Sequence, residues 1–212
     1  DLAKQVIAVE KDRRVIGFLD HLVTAADKRL SVIEADALAK PVWELGAAPR
    51  QIIANLPYNI ATTLLLQWLE HAASFTSFIL MFQKEVAMRI TASPGDSAYG
   101  RLSIITQWRA EADTIFDIPP EAFIPPPKIT STVVRLIPRA KPLADCQQAD
   151  LEKVTAIAFG QRRKMLRASF KKYGGAAFIE EAGLEPSSRP QEVPIEEFCA
   201  LARLFHQHQK TR

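Results

Sequence analysis

The sequence predicts an α/β protein, a mostly parallel sheet covered by helices with an antiparallel strand near its end, followed by a small all-α segment. Short apolar or β-branched runs alternate with amphipathic stretches over the first 140 residues. Two later strand-like runs lie too close together for a crossover helix, so they must pair antiparallel. From about residue 141 the strand signal vanishes and helical patterns continue to the end. We therefore expect two domains, 1–140 and 141–212.

In chain order, the expected strands are QVIAVE (5–10), LSVIEAD (30–36), QIIAN (51–55) and SFILMF (77–82), with helices over 12–26, 61–72 and 84–92. Continuous apolar strands of this kind suit a parallel sheet buried on both faces. ADTIFDIP and STVVRLIPR form the antiparallel pair, joined by a proline-rich loop. Gly174 and Gly175 stop one of the later helices. There is no internal repeat.

With 212 residues and 48% hydrophobic content, the chain can bury one sizeable core and a small second one. No run approaches the roughly 18 apolar residues of a membrane span, and DLAKQVIAVE does not read as a signal peptide. A cytoplasmic monomer is expected. Cys146 and Cys199 have no partner at ligand spacing, which suggests neither a metal site nor a disulfide framework. The net charge of +3 is unevenly spread, since residues 1–150 carry 16 Lys/Arg against 17 Asp/Glu and residues 151–212 carry 11 against 7. FGQRRKMLRASFKKY (159–173) holds six basic residues and no acid. A solvated helix face usually mixes signs.

Ligands of open parallel sheets sit at the carboxyl ends of the strands. There the sequence places Glu10, Asp36 and Asn55. An acid ending the second strand of a nucleotide-binding unit commonly bonds ribose hydroxyls, and a second acid one strand later suits an adenine amino group. Each acid alone reads equally as a helix cap or a solvated loop residue. Asn55-Leu56-Pro57-Tyr58 then interrupts an apolar run just before a helix. An exocyclic base amine is a poor nucleophile because its lone pair is delocalised into the ring. An Asn oxygen and a backbone carbonyl that both accept from the amine localise that lone pair, Pro57 fixes the turn, and Tyr58 stacks on a flipped base. The alternative is a strand-ending turn in which Asn55 caps the next helix and Tyr58 packs in the core.

IPPEAFIPPPKITS surrounds Phe123 with five prolines, so the ring is held nearly rigid, suited to forming a base slot opposite Tyr58. Lys128 is placed to meet a phosphate. A stiff connector with Phe123 in the core is the alternative. In the basic segment, Arg162, Arg163, Lys164 and Arg167 are expected to fan around a helix for phosphate contacts, with Met165, Leu166 and Phe170 anchoring its other side. A helix merely solvated by its own charges is the competing reading.

NLPYNI (55–60), with VIAVEKD (6–12), EADAL (34–38), FIPPPKITSTVVRL (123–136) and FGQRRKMLRASF (159–170), resembles the bacterial small-subunit ribosomal RNA adenine dimethyltransferases, the KsgA family. The likeness runs in order over nearly the whole chain. It implies a Rossmann-like methyltransferase sheet and a helical RNA-binding domain. It also implies S-adenosylmethionine-dependent dimethylation of two adjacent adenines in small-subunit rRNA on the immature 30S subunit. By the same resemblance Glu10 would bind the cofactor ribose, Asp36 and the backbone around Ala37 its adenine, and Lys11 would also border the cofactor. Asn55, which also borders the cofactor, and Leu56 would take the target amine, and Tyr58 and Phe123 would sandwich the base. Lys128, Arg162, Arg163, Lys164, Arg167 and Lys171 would meet RNA, and no metal is implied.

The family's donor nucleotide lies on a glycine-rich loop upstream of the ribose acid. Only nine residues precede Glu10, and no G-x-G occurs. We expect the first strand and that loop to be absent from this sequence, and the 212 residues alone to hold the cofactor poorly. Three rival readings are a large-subunit rRNA methyltransferase of the antibiotic-resistance type, a non-catalytic rRNA-binding assembly factor and, more distantly, a nicotinamide dehydrogenase.

Overall fold

A computed structural model describes residues 3–210. Its first unit is β1 (Val6–Glu10), α1 (Arg13–Ala25) and β2 (Leu30–Glu34), a right-sized crossover that pairs β1 with β2 in parallel from Val6↔Leu30 to Glu10↔Glu34. Asp12 starts α1 by accepting from the Arg14 amide at 3.0 Å. Asp36 falls two residues beyond β2, in the turn that follows, and so does not end the strand itself.

The second sheet holds β3 (Gln51–Asn55), β4 (Ser77–Gln83), β5 (Ala110–Ile118) and β6 (Ser131–Pro138), in the order β3-β4-β6-β5. β3 and β4 are parallel, β6 is antiparallel to both β4 and β5, and β6 is therefore the one strand of this sheet that runs against the others. The expected antiparallel pair is thus present. Among the described residues the parallel pairing runs in two pieces, β1·β2 and β3·β4, and not in one continuous ladder.

α2 (Ala61–Glu70) lies on the sheet through Leu64, Leu65, Trp68 and Leu69, a spacing that puts all four on one helical face. They pack with Phe78, Leu80 and Phe82 of β4, with Val134 and Leu136 of β6, and with Ala87 and Ile90 of α3 (Lys84–Thr91). Burying a side chain of this size contributes about 1.5–3 kcal/mol, so this layer holds β3 and β4 rigid beneath the strand ends.

A second core joins α4 (Arg101–Arg109) to α5 (Gln148–Gly160) and α8 (Ile195–Lys210), through residues such as Ile104, Trp108, Leu151, Val154, Phe198 and Leu201. Hydrogen bonds also cross from the first 140 residues into the C-terminal segment. The Trp108 indole donates to the Ala144 carbonyl at 2.7 Å, and the Tyr99 hydroxyl donates to the Val193 carbonyl at 2.9 Å. Cys199 is buried in this core as a free thiol; the half-buried Cys146 thiol, also free, hydrogen-bonds to it. That contact holds Cys146 below the ordinary thiol range and, with burial, pushes Cys199 above it.

The basic segment is not the helix its spacing suggested. α5 stops at Gly160, and 161–164 form a tight turn closed by the Lys164 amide on the Gln161 carbonyl at 2.8 Å. α6 (Leu166–Ser169) is a single turn, followed by a 3₁₀ turn at Lys171–Tyr173 and by α7 (Ala176–Glu181). Two causes operate. Crowded like charges disfavour a helix, and the amides of Leu166 and Arg167 are taken by the carbonyls of Ser188 and Pro186, not by carbonyls one helical turn back. Leu166 and Phe170 anchor the segment in the second core as expected, whereas Met165 stays exposed. No helix among the described residues is long and apolar enough to cross a membrane.

Candidate active site

Asn55 ends β3 opposite Met81 of β4. The chain turns into α2 at once, because the Pro57 carbonyl accepts from the amides of Ile60 and Ala61 at 3.0 and 3.1 Å. The buried Leu56 side chain fastens this turn to the sheet core. Asn55 does not cap α2: the cap position is Ile60, and no side-chain capping bond is made there. Among the described residues the Asn55 side-chain amide has no hydrogen-bond partner and is exposed.

Tyr58 is half-buried and belongs to neither core; its hydroxyl shares a 2.7 Å hydrogen bond with the hydroxyl of Ser131, the fully buried first residue of β6. Phe123, on extended backbone after the 3₁₀ turn Pro120–Ala122, is likewise half-buried and outside the cores. Tyr58 and Phe123, with Asn55, Leu56, Pro57, Met81, Pro125 and Pro127, line one cavity of about 360 Å³. That volume is within the usual range of small-molecule sites, about 300–1,000 Å³. Residues that the sequence separates by some 65 positions therefore meet in a slot with one amide, two rings and a proline wall. Lys128 follows directly on this wall and is exposed.

Glu10 and Asp36 form a separate acidic group at the carboxyl ends of the β1·β2 pair, and neither lines the cavity. Glu10 Oε1 accepts from the amides of Lys11 and Asp12, both at 2.7 Å. Asp36 Oδ1 accepts from the Leu38 amide at 2.9 Å, and its Oδ2 pairs with the Lys11 ammonium at 2.7 Å. The Lys11 bond first, and the Leu38 amide second, hold the Asp36 carboxyl below the usual carboxylate range. Next to them Asp12 is drawn down to about 2 by the Arg14 side chain and amide. Both acids thus do some of the local capping that was the competing reading. Ala37 packs partly buried against the sheet core.

Arg163, Lys164, Arg167 and Lys171 are all exposed on the turn and short helix described above. Arg162 is exposed too, and its guanidinium donates to the Ser97 carbonyl, which ties the turn to the loop before α4. The sequence reading missed Met81, which lines the slot, Ser131, which bonds the Tyr58 hydroxyl behind it, and Gln83, the strand residue paired with Ser131. Met81 and Gln83 end an apolar strand with nothing in the local pattern to single them out, and the Tyr58–Ser131 contact spans 73 residues. Among the described residues there is no group of three or more His, Cys, Asp or Glu that could hold a metal ion.

A sequence model of the family described as Ribosomal RNA adenine dimethylase matches residues 1–207. The Ribosomal RNA small subunit methyltransferase A of Rhodospirillum rubrum is 55% identical over 202 residues, covering 95% of this chain and 70% of that protein. The protein of the same name from Paramagnetospirillum magneticum is 54% identical over 202 residues, covering 95% and 72%. Among solved structures, a dimethyladenosine transferase from Plasmodium falciparum shares the fold with a TM-score of 0.78 at 24% identity, covering 98% of this chain and 83% of that one. The 23S rRNA methyltransferase ErmE does so with a TM-score of 0.70 at 24% identity, covering 96% and 82%. The expected Rossmann-like methyltransferase fold is therefore the observed one. With a family match over almost its entire length and relatives at more than half identity, the chain belongs to the ribosomal RNA adenine dimethylase family.

Proposed function

We propose that this protein transfers methyl groups from S-adenosylmethionine to the exocyclic amines of two adjacent adenines in small-subunit rRNA, acting in the cytoplasm as a monomer on immature small subunits. The observation that carries this reading is the single cavity in which Asn55, Leu56, Tyr58 and Phe123 meet. The relatives of highest identity reported above are named for the small subunit, which favours that substrate over the large one.

The residues present fit the adenosine half of the cofactor. Glu10 keeps Oε2 for ribose hydroxyls while Oε1 is fixed by two amides, and Asp36 with the turn at Ala37 offers acceptors toward an adenine edge. Lys11, paired to Asp36, sets the orientation of that carboxylate. S-adenosylmethionine, when bound, supplies an electrophilic methyl group on a sulfonium. The chain's own task lies on the acceptor side. Asn55 Oδ1 and the Leu56 carbonyl accept from the adenine amine and draw its lone pair out of conjugation. Tyr58 and Phe123 stack on the two faces of the flipped base, and Pro57, lacking an N–H, places no competing donor in the turn. The segment from 141 onward, with Arg162, Arg163, Lys164, Arg167 and Lys171, is the RNA-binding module, contacting phosphates together with Lys128. Incubating the protein, carrying its natural N-terminus, with radiolabelled cofactor and immature small subunits tests the reading. Label in dimethyladenosine of the small-subunit rRNA supports it, and binding without any transfer would replace it with the assembly-factor reading.

A further inference from the structure

Gln83 is the last residue of β4, one strand in from Asn55, where the ladder gives way to α3. Residues two apart on a strand share a face, and directly paired residues on neighbouring strands share one as well. Gln83 is two residues from Met81, which lines the cavity, and is paired with Ser131, whose hydroxyl holds Tyr58. Asn55 is itself paired with Met81. Asn55, Met81, Gln83 and Ser131 therefore stand on one face of the sheet. Gln83 lies one row beyond Met81, level with the Leu56-Pro57-Tyr58 turn.

Its own structural duties are accounted for without its side chain. Gln83 occupies the cap position of α3 yet makes no side-chain capping bond there. Among the described residues its side-chain amide has no hydrogen-bond partner, although the residue is half-buried. The amide is not among the buried polar atoms left unpartnered, so it remains open to solvent and available to a ligand. Gln83 is not itself in the cavity lining but borders it beyond Met81; the lining is poor in such groups, with only Asn55 and Tyr58 as polar side chains, and the Tyr58 hydroxyl is already engaged by Ser131.

Adenine has a matching need. Once its amine is held by two acceptors, the ring nitrogens on either side of the amino group, N1 on the Watson–Crick edge and N7 on the Hoogsteen edge, are the acceptors left beside it. We propose that Gln83 is a specificity-determining residue whose side-chain N–H donates to one of these ring nitrogens of the target adenine. It thereby fixes the in-plane rotation of a base whose faces are held by Tyr58 and Phe123. This inference rests on the proposed methylation of adenine at this cavity.

The test is a substrate-atom cycle on the rRNA acceptor, comparing wild type, Gln83→Ala and Gln83→Glu on RNA carrying adenosine, 1-deazaadenosine or 7-deazaadenosine at the target. On adenosine, Gln83→Ala should lower kcat/KM about 3- to 10-fold, the size of one net hydrogen bond. Gln83→Glu, which has no N–H to donate, should do at least as badly. Wild type should lose a similar factor on one of the two deaza substrates, and on that substrate Gln83→Ala should cause no further loss. The identity of that substrate assigns the nitrogen. Thermal midpoints should match wild type, since no bond within the fold is removed. Equal losses from Gln83→Ala on all three substrates, or no loss on any, would overturn the assignment to Gln83. No methylation of adenosine by wild type would instead overturn the function on which it rests.

Discussion

Removing the Ser131 hydroxyl gives a measurable test of how the slot is held. The Tyr58–Ser131 bond is 2.7 Å long and joins the turn after β3 to the start of β6. Ser131 is fully buried, whereas Tyr58 is only partly so. The two single substitutions should therefore differ. Ser131→Ala leaves the Tyr58 hydroxyl free to find water, so its cost should sit near the net worth of one hydrogen bond, about 1 kcal/mol. Tyr58→Phe strands a buried serine hydroxyl, and desolvation raises the cost to about 1–3 kcal/mol. In the double variant neither partner is stranded, so its loss should fall short of the sum by about 0.5–1.5 kcal/mol. Urea unfolding of the four proteins gives these values, read from midpoints at constant slope. Methyl transfer should follow the same logic: Ser131→Ala slows it in the wild-type background and has no further effect beside Tyr58→Phe. Additivity within about 0.3 kcal/mol would mean that the bond does not hold Tyr58 in solution.

Asn55→Ala should lower methyl transfer by about 10²–10³, the usual loss for one positioned polar group in an active site, with RNA affinity nearly unchanged; transfer within a few-fold of wild type would remove Asn55 from the clamp. Changing Arg162, Arg163 and Lys164 together to Ala should weaken small-subunit binding and flatten the plot of log affinity against log salt by up to about three phosphate contacts, and an unaltered slope would place them away from the RNA. Tyr99→Phe should destabilise the protein by about 1–3 kcal/mol in denaturant unfolding, because it leaves the buried Val193 carbonyl without its donor; a change under about 0.5 kcal/mol would show that water replaces the hydroxyl. Since the folded-state pKa of Asp36 lies below the ordinary 3.8, its contribution to stability is complete above that value and is lost as pH falls through the lowered one. Lys11→Met should raise the Asp36 pKa toward 3.8 in a carboxyl NMR titration, and an unmoved titration would show that Lys11 does not hold the carboxylate.

Much of this molecule is legible in its residues. The strand runs at 5–10, 51–55 and 77–82 and the helices near 12–26, 61–72 and 84–92 match β1, β3, β4, α1, α2 and α3 to within two residues. Strand and helix periods are written locally, in which side chains recur on one face. The turn from Asn55 to Tyr58 was legible for the same reason, because its residues are contiguous and the breaking of an apolar run by a proline is a local event. Where a competing local choice exists, the residues alone did not decide. Arg162 to Arg167 has a helical apolar spacing, yet carbonyls of Pro186 and Ser188, some 20 residues away, take the amides a helix would have used. β2 stops short of Asp36 because Asp36 folds back on the Leu38 amide.

By itself, then, the sequence determined the order and type of the elements up to residue 92 and the later antiparallel pair, the Asn55–Tyr58 turn, the proline-rich aromatic loop and the surplus of positive charge near the C-terminus. Only the tertiary structure decided that Phe123 and Tyr58 line one cavity, that Ser131 holds the tyrosine, that Gln83 shares a sheet face with Met81 and Ser131, and that α4 joins the C-terminal helices in a second core. The physical reason is one of range. Backbone hydrogen bonding and side-chain periodicity act over a few residues and leave their mark in composition. A contact across 73 residues is set by sheet register and by the packing beneath it, which no local run of residues encodes.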